Sequence, residues 1–196
     1  MGVYIAHPSS RVGKDGRLYI YGSLDSIPSQ YCSKSYHVLA SKDLMTWELY
    51  RNRFTFNAVL YAPDMMEKNI LTQKDQYFHE GSYVVKRGSW YYYTFADVSR
   101  NGKPTCIGYA MSKSPMGPYE YKGVIIDNNG CDPSVWNNHG SLVEFKDKWY
   151  VLYHRATHGS VSMRKACIEP ITFREDGTCM RCGLLLKVKR FVTRKN

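Results

Sequence analysis

Gly88-Ser-Trp-Tyr-Tyr-Tyr-Thr-Phe-Ala96 is a strand-length aromatic run opened by a Gly-Ser turn signal. Ile107-Gly-Tyr-Ala-Met-Ser112 and Tyr119-Glu-Tyr-Lys-Gly123 follow it. The same layout occurs twice more. Gly16-Arg-Leu-Tyr-Ile-Tyr-Gly-Ser23 precedes Tyr36-His-Val-Leu-Ala-Ser41 and Trp47, and Asp147-Lys-Trp-Tyr-Val-Leu-Tyr-His-Arg155 precedes Met163-Arg-Lys-Ala-Cys-Ile168 and Phe173. In each copy a second strand follows the aromatic one at a similar offset. A repeated sheet unit cannot bury both faces alone, so the repeats predict stacked sheets around a shared axis, as in propeller blades. Three is fewer than the four or more blades typical of a closed propeller.

The rest of the chain agrees with an all-β class. Its 196 residues are enough for one domain with a sizeable core. The 17 tyrosines sit in alternating runs bounded by Gly, Asn, Asp and Pro, and no stretch carries long helical periodicity. The net charge of +10 is concentrated at one end. Residues 180–196 hold Arg181, Lys187, Lys189, Arg190, Arg194 and Lys195 and no acid. No nucleic-acid recognition motif and no interleaved stacking aromatics accompany these charges, so they read as a solvated basic end. Cys179-x-x-Cys182 lacks a second pair at zinc spacing, and Cys106 and Cys167 fall in strand patterns as buried thiols. No window has the length of a signal peptide or a membrane span. The chain as given therefore reads as cytoplasmic, or as secreted or periplasmic if its N-terminus is incomplete.

Four polar constellations carry the candidate chemistry: Ala6-His-Pro-Ser-Ser-Arg-Val12, Leu60-Tyr-Ala-Pro-Asp64, Phe78-His-Glu-Gly-Ser-Tyr-Val84 and Trp136-Asn-Asn-His-Gly-Ser-Leu-Val-Glu-Phe145. Three of them directly precede an aromatic strand, so their polar groups are expected to converge where the blades meet. Glu80, beside Gly81 and close to Phe78, is the best acid candidate. Desolvation there would favour the protonated carboxyl that a general acid needs. On composition alone, an exposed turn glutamate fits better. His139, in a polar turn, would orient a substrate, tune an acid, hold an ion or serve structure only. Asp64 reads as a turn residue or a site carboxylate. Arg164 reads as a donor to sugar hydroxyls or a strand-edge cation. Tyr36, Phe78 and Trp136 are candidate stacking rings for a sugar.

Taken in order, these segments resemble glycoside hydrolase family 43, the five-bladed β-propellers that include β-xylosidases and α-L-arabinofuranosidases. The similarity also includes Ile107-Gly-Tyr-Ala-Met-Ser-Lys-Ser-Pro-Met-Gly-Pro-Tyr119 and Met163-Arg-Lys-Ala-Cys-Ile-Glu-Pro-Ile-Thr-Phe173. It implies inverting hydrolysis of terminal arabinofuranose or xylose, with an aspartate base, a glutamate acid and a third carboxylate. On this resemblance Glu80 matches the acid, and His7 stands at the base position. Asp64 lines the pocket, Arg164 contacts substrate, and His139 matches a histidine that holds calcium or another ion in some members. No cofactor is required. The expected partner is a plant-polysaccharide-derived oligosaccharide or small glycoside, with neither nucleic acid nor membrane.

Two departures stand out. The base motif reads Ala-His-Pro rather than Ala-Asp-Pro, and only Met65 to Tyr77 separate Asp64 from Phe78, with no motif there for the third carboxylate. Asp132-Pro133 falls at a loop position and does not fill that role. Five units at the spacing of the last two would need far more than 196 residues. The expectation is an incomplete five-bladed propeller over 1–178, with an internal deletion, and a basic atypical tail over 179–196. The three blades are then the first, fourth and fifth, with a remnant of the second at 54–69. Open blade edges would favour self-association. Non-catalytic sugar binding and a defective truncated product are the alternatives to hydrolysis.

Overall fold

The structure, a computed structural model, describes residues 5–24, 35–55, 77–100, 105–114, 117, 119–129, 139–157, 160–181 and 190–193. These residues form three sheets and no helix long and apolar enough to cross a membrane. The first sheet is an antiparallel meander of β1 (Ile5–Val12), β2 (Leu18–Leu24), β3 (Ser35–Ser41) and β4 (Thr46–Thr55). The middle sheet is built the same way from β5 (Phe78–Arg87), β6 (Trp90–Asp97), β7 (Cys106–Ser112) and β8 (Glu120–Ile126). The last sheet contains β9 (Gly140–Phe145), β10 (Lys148–Thr157), β11 (Ser160–Phe173) and β12 (Cys179–Arg181). Each sheet follows one of the three sequence repeats.

The aromatic runs form the second strands, β2, β6 and β10. The polar segments expected to feed the innermost strands are themselves β1, β5 and β9. Small residues explain this, because Ser10, Ser141 and Gly140 let the edges of three sheets approach closely. Ser10 Oγ and Ser141 Oγ lie 2.9 Å apart, Ser141 Oγ–H donates to Pro8 O at 3.3 Å, and Tyr83 Oη–H donates to Ser10 O at 3.2 Å. Thr94 Oγ1–H adds a bond to Gly140 O at 3.1 Å.

The last sheet lies between the other two. Its strand β10 alternates faces, as the two-residue period of a strand requires. Tyr150 and Leu152 join a core with Leu18, Ile20, Leu39, Trp47 and Leu49 of the first sheet. Val151 and Tyr153 join a second core with Tyr92, Ile107, Tyr109 and Met111 of the middle sheet. Trp47 is fully buried, and its indole N–H donates to Leu44 O at 3.1 Å. Two phenols lock the middle and last sheets at their far end: Tyr92 Oη–H donates to Gly177 O at 2.8 Å, and Tyr109 Oη accepts from Cys179 N–H at 3.0 Å.

The spatial order is therefore first, last, middle. A ring that closes from its C-terminal blade back to its N-terminal blade has this order. Any further blades belong between β4 and β5 in sequence, where only residues 56–76 intervene, outside the described residues. Residues 54 and 55 of the expected second-blade remnant end β4, and the rest of that remnant is also outside them.

Part of the basic tail is built into the sheets. Residues 179–181 form β12, and β13 (Arg190–Thr193) pairs in parallel with Thr46–Leu49 of β4, so β13 covers the outer edge of the first sheet.

Candidate active site

Glu80 sits in an irregular stretch of β5, where the register against β6 shifts on both sides of it. Such bulges re-aim a side chain out of the regular alternation. Gly81, next in the chain, has φ +69°, a left-handed conformation that strains side chains other than glycine's. A Cβ there would also lie 2.6 Å from two carbons of the His139 ring. Gly81 thus provides both the turn and the space that let His139 reach across from the start of β9. His139 Nε2 stands 3.0 Å from Glu80 Oε1.

The imidazole is the more enclosed partner, with 12% of its side chain exposed against 40% for Glu80. The site is less closed around Glu80 than the sequence predicts: its carboxylate is only partly enclosed. Burial holds His139 below its ordinary value of 6.5, against the pull of Glu80, and the positive fields of Arg164 and His79 act the same way as burial. His139 is then neutral at neutral pH and acts as a hydrogen-bond partner of the carboxyl rather than a second charge. The backbone N–H of fully buried His154 donates to His139 O at 3.3 Å, and the two rings lie 5.5 Å apart. These contacts fix the position of His139 as well as its orientation.

Arg164 projects from β11 and is 1% exposed, within electrostatic reach of His139. A buried guanidinium is costly unless well partnered. The same sheet buries Glu169, which accepts a hydrogen bond from Tyr153 Oη–H. Sequence reading passed over His154, Tyr153 and Glu169. The available signal was weak: Tyr153 and His154 are neighbours on a strand whose alternation is otherwise apolar.

The structure thus brings Glu80 and His139 into contact, with Arg164 near enough to His139 to act on it electrostatically. His7 lies in β1 at a register shift between Ala6 and Ser9, so both proposed catalytic positions fall at bulges. Its strand is bonded to β9 through Pro8, Ser10 and Ser141. Tyr36 pairs with Ser23 and Phe54 through the backbone of β3. The side chains of His7 and Tyr36, and all of Asp64 and Trp136, lie outside the described residues. Phe78 packs on Phe95 and Tyr93 of β6, with centroids 5.5 and 6.2 Å away.

A calcium ion at His139 does not fit the described donor set. Calcium takes six to eight oxygen ligands. Among the described residues no three His, Cys, Asp or Glu side chains stand together, and His139 Nε2 is engaged by Glu80.

The family profile described as Glycosyl hydrolases family 43 matches residues 57–179. A xylosidase/arabinosidase of Thermoclostridium stercorarium is 32% identical in an alignment of 148 positions that covers 62% of this chain and 30% of that protein. A β-xylosidase of Xylanibacter ruminicola is 27% identical in an alignment of 168 positions that covers 78% of this chain and 50% of that one. The chain thus spans half or less of these two relatives. Among solved structures, the family 43 β-xylosidase/α-arabinofuranosidase CoXyl43 from a compost microbial metagenome, in complex with xylotriose and in calcium-free form, superposes with a TM-score of 0.63 at 18% identity. The match covers 97% of this chain and 95% of that one.

Proposed function

The chain belongs to glycosyl hydrolase family 43, with the family's five-bladed β-propeller represented by three blades, and we propose that it holds a site for terminal arabinofuranose or xylose with weakened hydrolysis. The ligand is the end of a plant-polysaccharide-derived oligosaccharide or a small glycoside. The names of the curated relatives and the xylotriose complex of a structural neighbour support this sugar class. The observation that carries the reading is the 3.0 Å contact between Glu80 and a largely enclosed His139, seated by Gly81 where the inner strands meet.

Glu80 is the general acid, protonating the glycosidic oxygen as the bond to the anomeric carbon breaks. His139 holds that carboxyl in place, and Arg164 donates to sugar hydroxyls. An inverting reaction needs a base on the opposite sugar face, roughly 6.5–9.5 Å from the acid, with a water between them. On the resemblance, His7 stands at that base's place in the sequence. A neutral imidazole accepts a proton near neutral pH, yet it adds no negative charge beside an oxocarbenium-like transition state. Loss of a well-matched base costs about 10²–10⁴ in rate. The chemistry requires no cofactor.

Turnover of aryl α-L-arabinofuranosides and β-D-xylosides tests this reading. Glu80→Gln is expected to abolish the residual rate, and His7→Asp to raise it at least roughly tenfold. Turnover indifferent to Glu80→Gln would take the acid role from Glu80. If His7→Asp gives no gain while xylose still binds, the site is a sugar-binding one only.

A further inference from the structure

Strand β10 carries a histidine in an otherwise apolar row. Tyr150 and Leu152 face the first sheet, and the two-residue period of a strand puts His154 on the same side. His154 is fully buried. Its neighbour Tyr153 faces the middle sheet instead, where its phenol meets Glu169. The imidazole of His154 therefore looks into the interface between the last sheet and the first, and the inner strand β1 of the first sheet lies against β9, β10 and β11 there.

The strand registers fix what surrounds the ring. Leu152 pairs with Ser141, whose Oγ lies 2.9 Å from Ser10 Oγ, and Ser10 pairs with Ile20. Two residues further along, at the level of His154, β1 carries the bulge between Ala6 and Ser9 in which His7 lies. On β2 the next position on the face of Leu18 and Ile20 is Gly22, which has no side chain to place there. On β11 the residue directly opposite His154 is Ala166. On the other flank a Cβ at Gly140 would stand 2.9 Å from Leu152 O, so β9 lies close against β10. Small residues on three strands thus leave a slot that the imidazole occupies. Its ring centroid is 5.5 Å from that of His139, and its backbone N–H bonds His139 O at 3.3 Å.

We propose that His154 is a positioning residue for the Glu80–His139 pair, its flat ring acting as a spacer between the His139 ring and the base strand β1. His154 touches the acid only through His139. Without the spacer, the His139 ring is free to turn away from Glu80, and β1 is free to settle toward β10. Inversion needs acid and base held at a set separation, and a misplacement of about 1 Å costs about 10² in rate. The effect on rate rests on the hydrolytic reading above; the effect on His139 does not, and the experiment keeps the two apart.

Nitrogen NMR of the full chain carrying labelled histidine, together with kinetics on aryl α-L-arabinofuranosides and β-D-xylosides, tests the proposal. The His139 signal is identified by its loss in His139→Gln. In the parent chain at neutral pH it is expected to show one fixed tautomer, held by Glu80. His154→Ala removes the ring and keeps the backbone bond to His139 O. It is expected to turn the His139 signal into an average of tautomers, and to lower kcat roughly tenfold or more with KM changed less than about twofold. His154→Phe keeps a flat ring and should restore both. If His154→Ala does not fold, His154→Leu carries the same expectation, because it fills volume without a flat ring. A parent His139 signal in the folded Ala or Leu variant overturns the proposal whatever the rate, and so does a Phe variant that fails to restore that signal. A role in stability alone predicts that outcome: a lower melting midpoint with His139 unchanged. A parent chain without turnover removes the hydrolytic reading only, and the His139 signal still decides for or against the spacer.

Discussion

Gly81 decides whether Glu80 and His139 can meet. No other residue supplies both a relaxed left-handed backbone and an empty volume against the imidazole. His139, brought in by that gap, loses solvent and is held below its ordinary value of 6.5. The sign of the pH effect follows. As pH falls, the unfolded chain takes up the histidine proton before the folded chain does. The contribution of this group is fully present above about 6.5 and is lost as pH falls through 6.5 toward the lowered folded value. Thermal melting followed from neutral to mildly acid pH is expected to show a declining midpoint, and His139→Gln should flatten that decline. An equal slope in the variant would assign the effect elsewhere. Glu80 and Gly81 stood out in the sequence because a carboxylate beside glycine in a polar run is conspicuous. His154 did not, because its role is to bond a backbone carbonyl that only the folded chain brings near.

At the scale of elements, the inner strands are joined by a few buried side-chain bonds. Ser141 on β9 bonds both Ser10 and Pro8 O of β1, and Tyr83 on β5 reaches Ser10 O. These contacts join the strand of the base position to those of Glu80 and His139. Ser141 is 1% exposed and Ser10 is 3% exposed, so losing one hydroxyl leaves buried polar groups with fewer partners. Ser141→Ala is therefore expected to cost about 1–3 kcal/mol in urea unfolding. A change below roughly 0.5 kcal/mol, the range of ordinary surface substitutions, would show that the strands do not depend on it. The strands themselves were legible as repeats of alternating aromatics. That the polar runs Ala6–Val12 and Phe78–Val84 are strands too was not, because bulges at His7 and Glu80 break the alternation by which a strand is recognised.

At the scale of the whole molecule, the described sheets pack face to face, which leaves the outer strand of each with an edge at the rim. β13 covers one of them by pairing with β4, and β8 carries the Lys122–Glu120 ion pair, at 2.7 Å, on the outermost strand of the middle sheet. Charges and added strands are how sheets resist edge-to-edge pairing. A chain ending at residue 181 would uncover the β4 edge. It is expected to elute from a sizing column as larger, concentration-dependent species than the full chain, including at raised salt, where the lost tail charges matter little. Equal elution of the two would mean that β13 guards nothing. The amino-acid sequence by itself determined the strand periods, the three repeats, the order of motifs that marks the family, and the Ala-His-Pro reading of its first motif. These are legible because side-chain alternation and turn chemistry act over a few residues. Only the tertiary structure decided that the last sheet sits between the other two, and that His139 meets Glu80 across 59 residues of chain. It also decided that six rings of the middle sheet touch in sequence, with Phe95 fully buried among them. Those outcomes depend on which sheet faces bury against one another, and such a choice is made by long-range packing.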